Sequence, residues 1–103
     1  MNYTIYMEPA AEQDLRNIYA YIANSLHSPM AAVRMYEQLK RAIMSLEVYP
    51  QRHNFLQKDV WKIRQIRCMP VAHFLLFYIV DEQEKTVSVL RIVYSKRDIN
   101  QQI

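Results

Sequence analysis

Residues 74–80, Phe-Leu-Leu-Phe-Tyr-Ile-Val, are apolar at odd and even positions alike. A strand tolerates that only when both its faces are covered and both its edges are paired. The run is therefore predicted as the central strand of a sheet. Stretches 61–68 and 86–94 on either side are rich in β-branched and aromatic residues with basic residues interspersed, as expected of its two neighbours. Residues 69–72 and the charged 81–85 are short enough for hairpin connections, so both pairings are predicted antiparallel.

Upstream the period changes. Residues 2–7 alternate enough for a short edge strand, and Pro9 stands at a natural first helical position. Ala11, Leu15, Ile18, Ile22 and Leu26 then recur at helical steps, a stripe widened by Tyr19. Ser28 followed by Pro29 reads as an N-cap and first helical residue, after which Ala32, Met35, Tyr36, Leu39, Ile43 and Leu46 form a second stripe, closed by Pro50. With so short a link at His27, the two helices should form an antiparallel hairpin laid on the sheet. Residues 51–60 show no period and are predicted as a loop, and residues 101–103 as a frayed tail. The expected fold class is α+β: an N-terminal strand, a two-helix antiparallel hairpin and a mainly antiparallel four-stranded sheet in the order β-α-α-β-β-β, one domain over residues 1–103.

Composition narrows the chemistry. The chain has no glycine, which excludes the phosphate-cradling loops of Walker and dinucleotide-binding enzymes. Its single cysteine, Cys68, forms no internal disulfide and reads as a small core residue. His27, His53 and His73 lack helical metal-ligand spacing, so neither a metal site nor a cofactor is predicted. No run approaches a membrane span and no secretory signal opens the chain, making the cytoplasm the default location. Residues 1–51 hold four cations against five anions, the remainder nine against five. The sheet half is thus the part suited to an anionic partner, although so modest a surplus does not imply tight DNA binding.

In the predicted meander, the end of the first strand, the start of the second and the end of the third meet at one edge of the sheet. That gathers Arg67, His73, Lys96 and Arg97, with Arg64 about one residue pair further in. Single basic residues on edge strands also guard against sheet-to-sheet aggregation. A cluster of them is costly unless an anion belongs there. His73 is the side chain suited by default to acid or base work near neutrality, and Lys96 is placed to share proton transfer. Tyr94, beside the cluster, reads as a stacking platform, a proton donor or plain packing, whereas Tyr19, Tyr36 and Tyr78 fall on core stripes. A bulge at Gln65-Ile66 would put Lys62, Arg64 and Arg67 on one face; a regular strand would send Arg67 to the other.

The order of elements, the run Ile66-Arg67-Cys68-Met69-Pro70-Val71-Ala72-His73 leading into an aromatic strand with Phe77-Tyr78, and the closing Tyr94-Ser95-Lys96-Arg97-Asp98 carry a resemblance. On these residues the chain resembles the RelE/ParE family of bacterial toxins from type II toxin–antitoxin modules. Helix-one residues Ala11 to Leu15 and Ile18 to Ile22 look like the ParE branch.

The resemblance implies one of two activities. ParE-type members poison DNA gyrase by binding it, whereas RelE-type members cut messenger RNA in the ribosomal A site without metal, activating a ribose 2′-hydroxyl. Lys62 and Arg64 fall where the family has basic residues on the first meander strand, and Arg97 matches the one closing the last strand. The arginine that RelE ribonucleases carry on the central strand falls at Leu75, and no tyrosine follows Ile99. Losing a cation aimed at developing phosphate charge costs on the order of a hundredfold in rate. The resemblance thus implies a gyrase-binding toxin with Lys62, Arg64, Arg67, Tyr94 and Arg97 facing its target. The alternative is a ribosome-dependent endoribonuclease acting on mRNA through Arg64, Arg67, His73, Lys96 and Arg97. Either way it implies a cognate antitoxin whose disordered, often acidic tail folds on the toxin, with operator DNA reached only through that antitoxin.

Overall fold

The computed structural model describes residues 2–56 and 65–95. Strand β1 (Thr4–Met7) leads into helix α1 (Pro9–Ala20), helix α2 (Pro29–Met44) follows, and strands β2 (Arg67–Val71), β3 (Phe74–Asp81) and β4 (Thr86–Tyr94) complete the chain. The sheet order is β1-β4-β3-β2, with β3 antiparallel to both its neighbours and β1 parallel to β4. The fold class is the α+β arrangement expected, and β3 is internal as its two-sided apolar character requires. No helix of the described residues is long and apolar enough to cross a membrane.

Both faces of β3 are covered. On the helical face Ala11, Leu39, Ile43 and Leu46 pack against Leu76, Tyr78, Val87, Val89 and Ile92. On the other, Phe77 and Val93 pack with Ile66, flanked by Leu56, Cys68, Leu75, Ile79 and Leu90. The alternation on β4 breaks once: Phe77 stands opposite Arg91 but Tyr78 opposite Val89, so Leu90 is an extra residue. This bulge flips the parity, which is why Val87 and Val89 before it and Ile92 after it all reach the helical face.

The bulge coincides with the end of β1. Met7 is the last residue of β1, paired with Val89, and beyond it β4 has no strand on that side. The Glu8 N–H donates to the Val89 carbonyl at 2.9 Å. Asp14, one turn into α1, then takes over. Its Oδ2 accepts from the Ile92 N–H at 2.9 Å and from Arg91 Nε at 2.7 Å, while Oδ1 accepts from Arg91 Nη2 at 2.9 Å. The Asp14 hydrogen bond raises the Arg91 pKa above its ordinary value. A backbone donor that would otherwise lie unpaired at the sheet edge is thereby satisfied by the helix packed over it.

Several boundaries depart from the sequence reading. The strand expected over 61–68 begins at Arg67 and continues through Met69, Pro70 and Val71, which were expected in the connection; the part at 61–64 lies outside the described residues. Pro70 is tolerated because β2 is an edge strand and its missing N–H is not needed by β3. The turn shrinks to Ala72 and His73, and without glycine the left-handed position falls on Ala72, φ 53°. Gln65, φ 58°, breaks the extended run on the other side. The turn after β3 is held by Asp81 Oδ1, which accepts from the Gln83 and Glu84 N–H groups at 3.0 Å each.

Helix one stops at Ala20 and continues as a π-helical turn, Tyr21–Ser25, closed by the Leu26 N–H donating to the Tyr21 carbonyl at 3.1 Å. The wider turn rotates Leu26 off the predicted stripe, leaving it 54% exposed. Ser28 does precede α2, but its side chain makes no capping hydrogen bond. Helix α2 ends at Met44, short of Pro50, and passes into 3-10 turns at Ser45–Glu47 and Pro50–Arg52. Arg52 Nη1 donates to the Ser45, Val48 and Tyr49 carbonyls, tying off that end. Of the three tyrosines expected in the core, Tyr78 is fully buried, whereas Tyr19 and Tyr36 stand at the surface, packed edge to face with centroids 6.3 Å apart. The stripes on which they lie are wider than the strip of sheet the helices can cover.

Two outcomes follow from these contacts. Asp14→Ala removes the carboxylate shared by the Arg91 guanidinium and the Ile92 N–H, and is expected to cost about 3 kcal/mol in urea unfolding. Tyr78 donates its hydroxyl to the Pro50 carbonyl at 2.7 Å, and burial pushes its pKa up to about 12 although the nearby Arg67 and Arg52 charges pull the other way. A phenol that ionises less readily in the folded chain binds its proton more tightly there than in the unfolded chain. Stability is therefore expected to fall as pH rises from about 10 toward 12. Tyr78→Phe should lose about 1 kcal/mol at neutral pH and flatten that alkaline decline, measured by chemical unfolding across the pH range.

Candidate functional site

The register decides which predicted site residues meet. Val71 pairs with Phe74 and Phe74 with Tyr94, so the β2–β3 turn and the end of β4 lie side by side. His73 occupies that turn with its side chain exposed, and its carbonyl accepts the Ser95 N–H at 2.9 Å. The Tyr94 ring stands against Phe74, centroids 5.9 Å apart at 62°, and remains 37% exposed. His73 and Tyr94 thus form one corner, with an imidazole and a phenol both open to solvent beside a fixed backbone.

Arg67 is not part of it. It pairs with Tyr78, four residue pairs along the ladder from the turn, about 13 Å at strand rise. The expected meeting of Arg67 with His73 is overturned because β2 runs on to Val71 instead of ending near Cys68. The guanidinium instead turns to the segment before the sheet: Nη1 donates to the His53 carbonyl at 2.7 Å and the Gln51 carbonyl at 3.1 Å, and the group lies 4.0 Å from the Phe55 ring centroid. Phe55 bridges Arg67 in the sheet, and the Leu56 N–H to Ile66 and Cys68 N–H to Asn54 bonds hold this strap along the β2 edge. Lys62, Arg64, Lys96 and Arg97 lie outside the described residues.

The sequence reading passed over His53, since 51–60 carries no periodic signal. Its ring meets Tyr78 edge to face at 6.4 Å, and burial, with the adjacent Arg52 charge, pulls its pKa below the ordinary value. Cys68 is partly buried on the second core face, where burial pushes its thiol up to about 11. Leu75 is half-buried in that same cluster, so the central strand offers an aliphatic side chain where the resemblance places a ribonuclease arginine. Away from this corner, β1 and α2 flank an open apolar groove of about 530 Å³ whose charged lining residues are Lys40 and Glu47. Among the described residues, no group of three or more His, Cys, Asp or Glu side chains converges.

Comparison with known proteins places this geometry. Similar solved structures include the chromosomal ParDE toxin–antitoxin system from P. aeruginosa, with a TM-score of 0.75 at 18% identity over 91% of this chain and 97% of the other. The archaeal RelE–RelB complex from Pyrococcus horikoshii OT3 superposes with a TM-score of 0.66 at 14% identity, covering 95% and 100% of the two chains. The RelBE2 complex from Mycobacterium tuberculosis gives 0.64 at 19% identity, covering 91% and 92%. At such identities the likeness is one of fold. No curated protein matches the sequence. The family described as the ParE toxin of the type II toxin–antitoxin system, parDE, matches residues 5–99, nearly the whole chain, and the protein belongs to that family.

Proposed function

We propose that this toxin, a single domain, inhibits growth by binding DNA gyrase and is held in check by a cognate antitoxin. The observation that carries the reading is Leu75. A ribonuclease of RelE type needs a cation on the central strand to meet the charge developing on the phosphorane-like transition state. Here that position is an aliphatic side chain packed among Phe77, Val93 and Ile66. The described corner, His73 with Tyr94, suits contact better than phosphoryl chemistry, since a half-exposed aromatic ring beside an exposed imidazole is the composition of an interface anchor.

The antitoxin half of the reading is supported by the solved neighbours, which are toxin–antitoxin complexes from P. aeruginosa and Pyrococcus horikoshii. The net charge of this chain points the same way. An acidic, disordered antitoxin tail would be drawn to a sheet half that carries nine cations against five anions. Operator DNA would be engaged through the antitoxin.

In this reading Arg67 positions the structure and does not touch the target. Its two carbonyl bonds and its ring contact fasten the strap at Gln51, His53 and Phe55 to β2. The two residues should separate cleanly. Tyr94→Ala is expected to weaken inhibition of gyrase supercoiling about tenfold, at a cost of only about 1 kcal/mol in unfolding for the lost contact with Phe74. Arg67→Ala is expected to lower stability by about 2 kcal/mol.

The purified chain added to gyrase and relaxed plasmid should block supercoiling, while mRNA in a cell-free translation reaction keeps its 5′ ends by primer extension. New ends within codons at the ribosomal A site, with supercoiling untouched, would replace this reading by the endoribonuclease one. His73 would then be the first residue to test as acid or base.

A further inference from the structure

Helix α2 carries two apolar stripes, and the fold uses one. Leu39 and Ile43 are buried against the sheet, and Ala32 is buried nearer the start of the helix. Met30, Val33, Glu37, Lys40 and Met44 recur at steps of three, four, three and four, the heptad spacing by which one helix seats against another. All five face solvent: Met30 is 65% exposed, Val33 38% and Met44 44%, and Glu37 and Lys40 are exposed as well. Tyr36 borders the stripe. Two methionines and a valine standing open on a regular seam form an unpartnered helix face.

The charges in its middle indicate what covers it. Glu37 and Lys40 sit one turn apart, yet neither forms an ion pair within the described residues. An antiparallel copy of the same helix, related by a two-fold axis between these positions, brings Glu37 of each chain against Lys40 of the other and Val33 of each against Met44 of the other. The seam is complementary to itself in charge and in apolar pattern, which is what an isologous contact requires. The sheet half, with its cationic surplus, would repel a second copy, so the helical hairpin is the side on which two chains can meet.

We infer that this chain self-associates through α2, two copies packing antiparallel with reciprocal Glu37–Lys40 pairs at the centre. The contact is small and polar at its middle, so the dimer is weak and forms in the micromolar range. It does not depend on which target the toxin has.

Sedimentation equilibrium of the purified full chain, from low to high micromolar concentration, tests this. A monomer–dimer equilibrium is expected. Glu37→Lys and Lys40→Glu should each weaken it about tenfold or more by setting like charges face to face, and the double swap should restore it. Both residues are exposed, so circular dichroism should be unchanged in all three variants. A monomer at every concentration, a dimer indifferent to both single swaps, or a double swap that fails to restore association would overturn the proposal.

Discussion

The Asp14 carboxylate is where the two layers of this protein are fastened together. Strand β1 is parallel to β4 and stops five residues before β4 does, so the outer portion of β4 is left with open backbone donors on one side. At that place the extra residue Leu90 reverses the alternation, and the Arg91 guanidinium and the Ile92 N–H both reach Asp14 of α1. One carboxylate meets both. Only 12% of the Asp14 side chain is exposed and 29% of that of Arg91, so the pair works in a partly dehydrated setting where charge-assisted bonds are strong. The placement of α1, and through the hairpin that of α2, follows from this contact and from the apolar surface beneath it.

Much of the architecture was legible because a few residues can stand in only one way. Residues 74–80 are apolar on both parities and became the internal strand β3. Thr86–Tyr94 matches its expected span because a charged turn precedes it and its apolar residues serve both core faces. Pro9 and Pro29 open α1 and α2. The misreadings have equally local causes. Pro70 was expected to end a strand, but on an outer edge its missing donor costs nothing, and moving the turn outward to Ala72 carried Arg67 away from His73. The π turn after Ala20 adds a residue to the helical period, which no count of threes and fours shows in advance.

The candidate site was legible in part. His73 and Tyr94 meet because the meander brings the β2–β3 turn to the end of β4, a consequence of topology alone. Arg67 looked like a member because basic residues near a strand end read alike whether they face a ligand or a carbonyl. Its partners, the Gln51 and His53 carbonyls, come from an aperiodic segment whose path no residue pattern discloses. Leu75 carried the most discriminating information, since the resemblance places a cation there in the ribonuclease branch whereas this chain packs an aliphatic side chain into the second core face.

The parallel pairing of β1 with β4 also bears on the order of events during synthesis. Among the described strands the first pairs with the last, and Asp14 must wait for Arg91 and Ile92, residues separated from it by most of the sequence. A nascent chain whose β4 is still within the ribosome therefore lacks the partner for β1, and its sheet closes only once β4 has emerged. The corner formed by His73 and Tyr94, which needs the end of β4 beside the β2–β3 turn, is thus among the last parts of the described fold to be completed during synthesis.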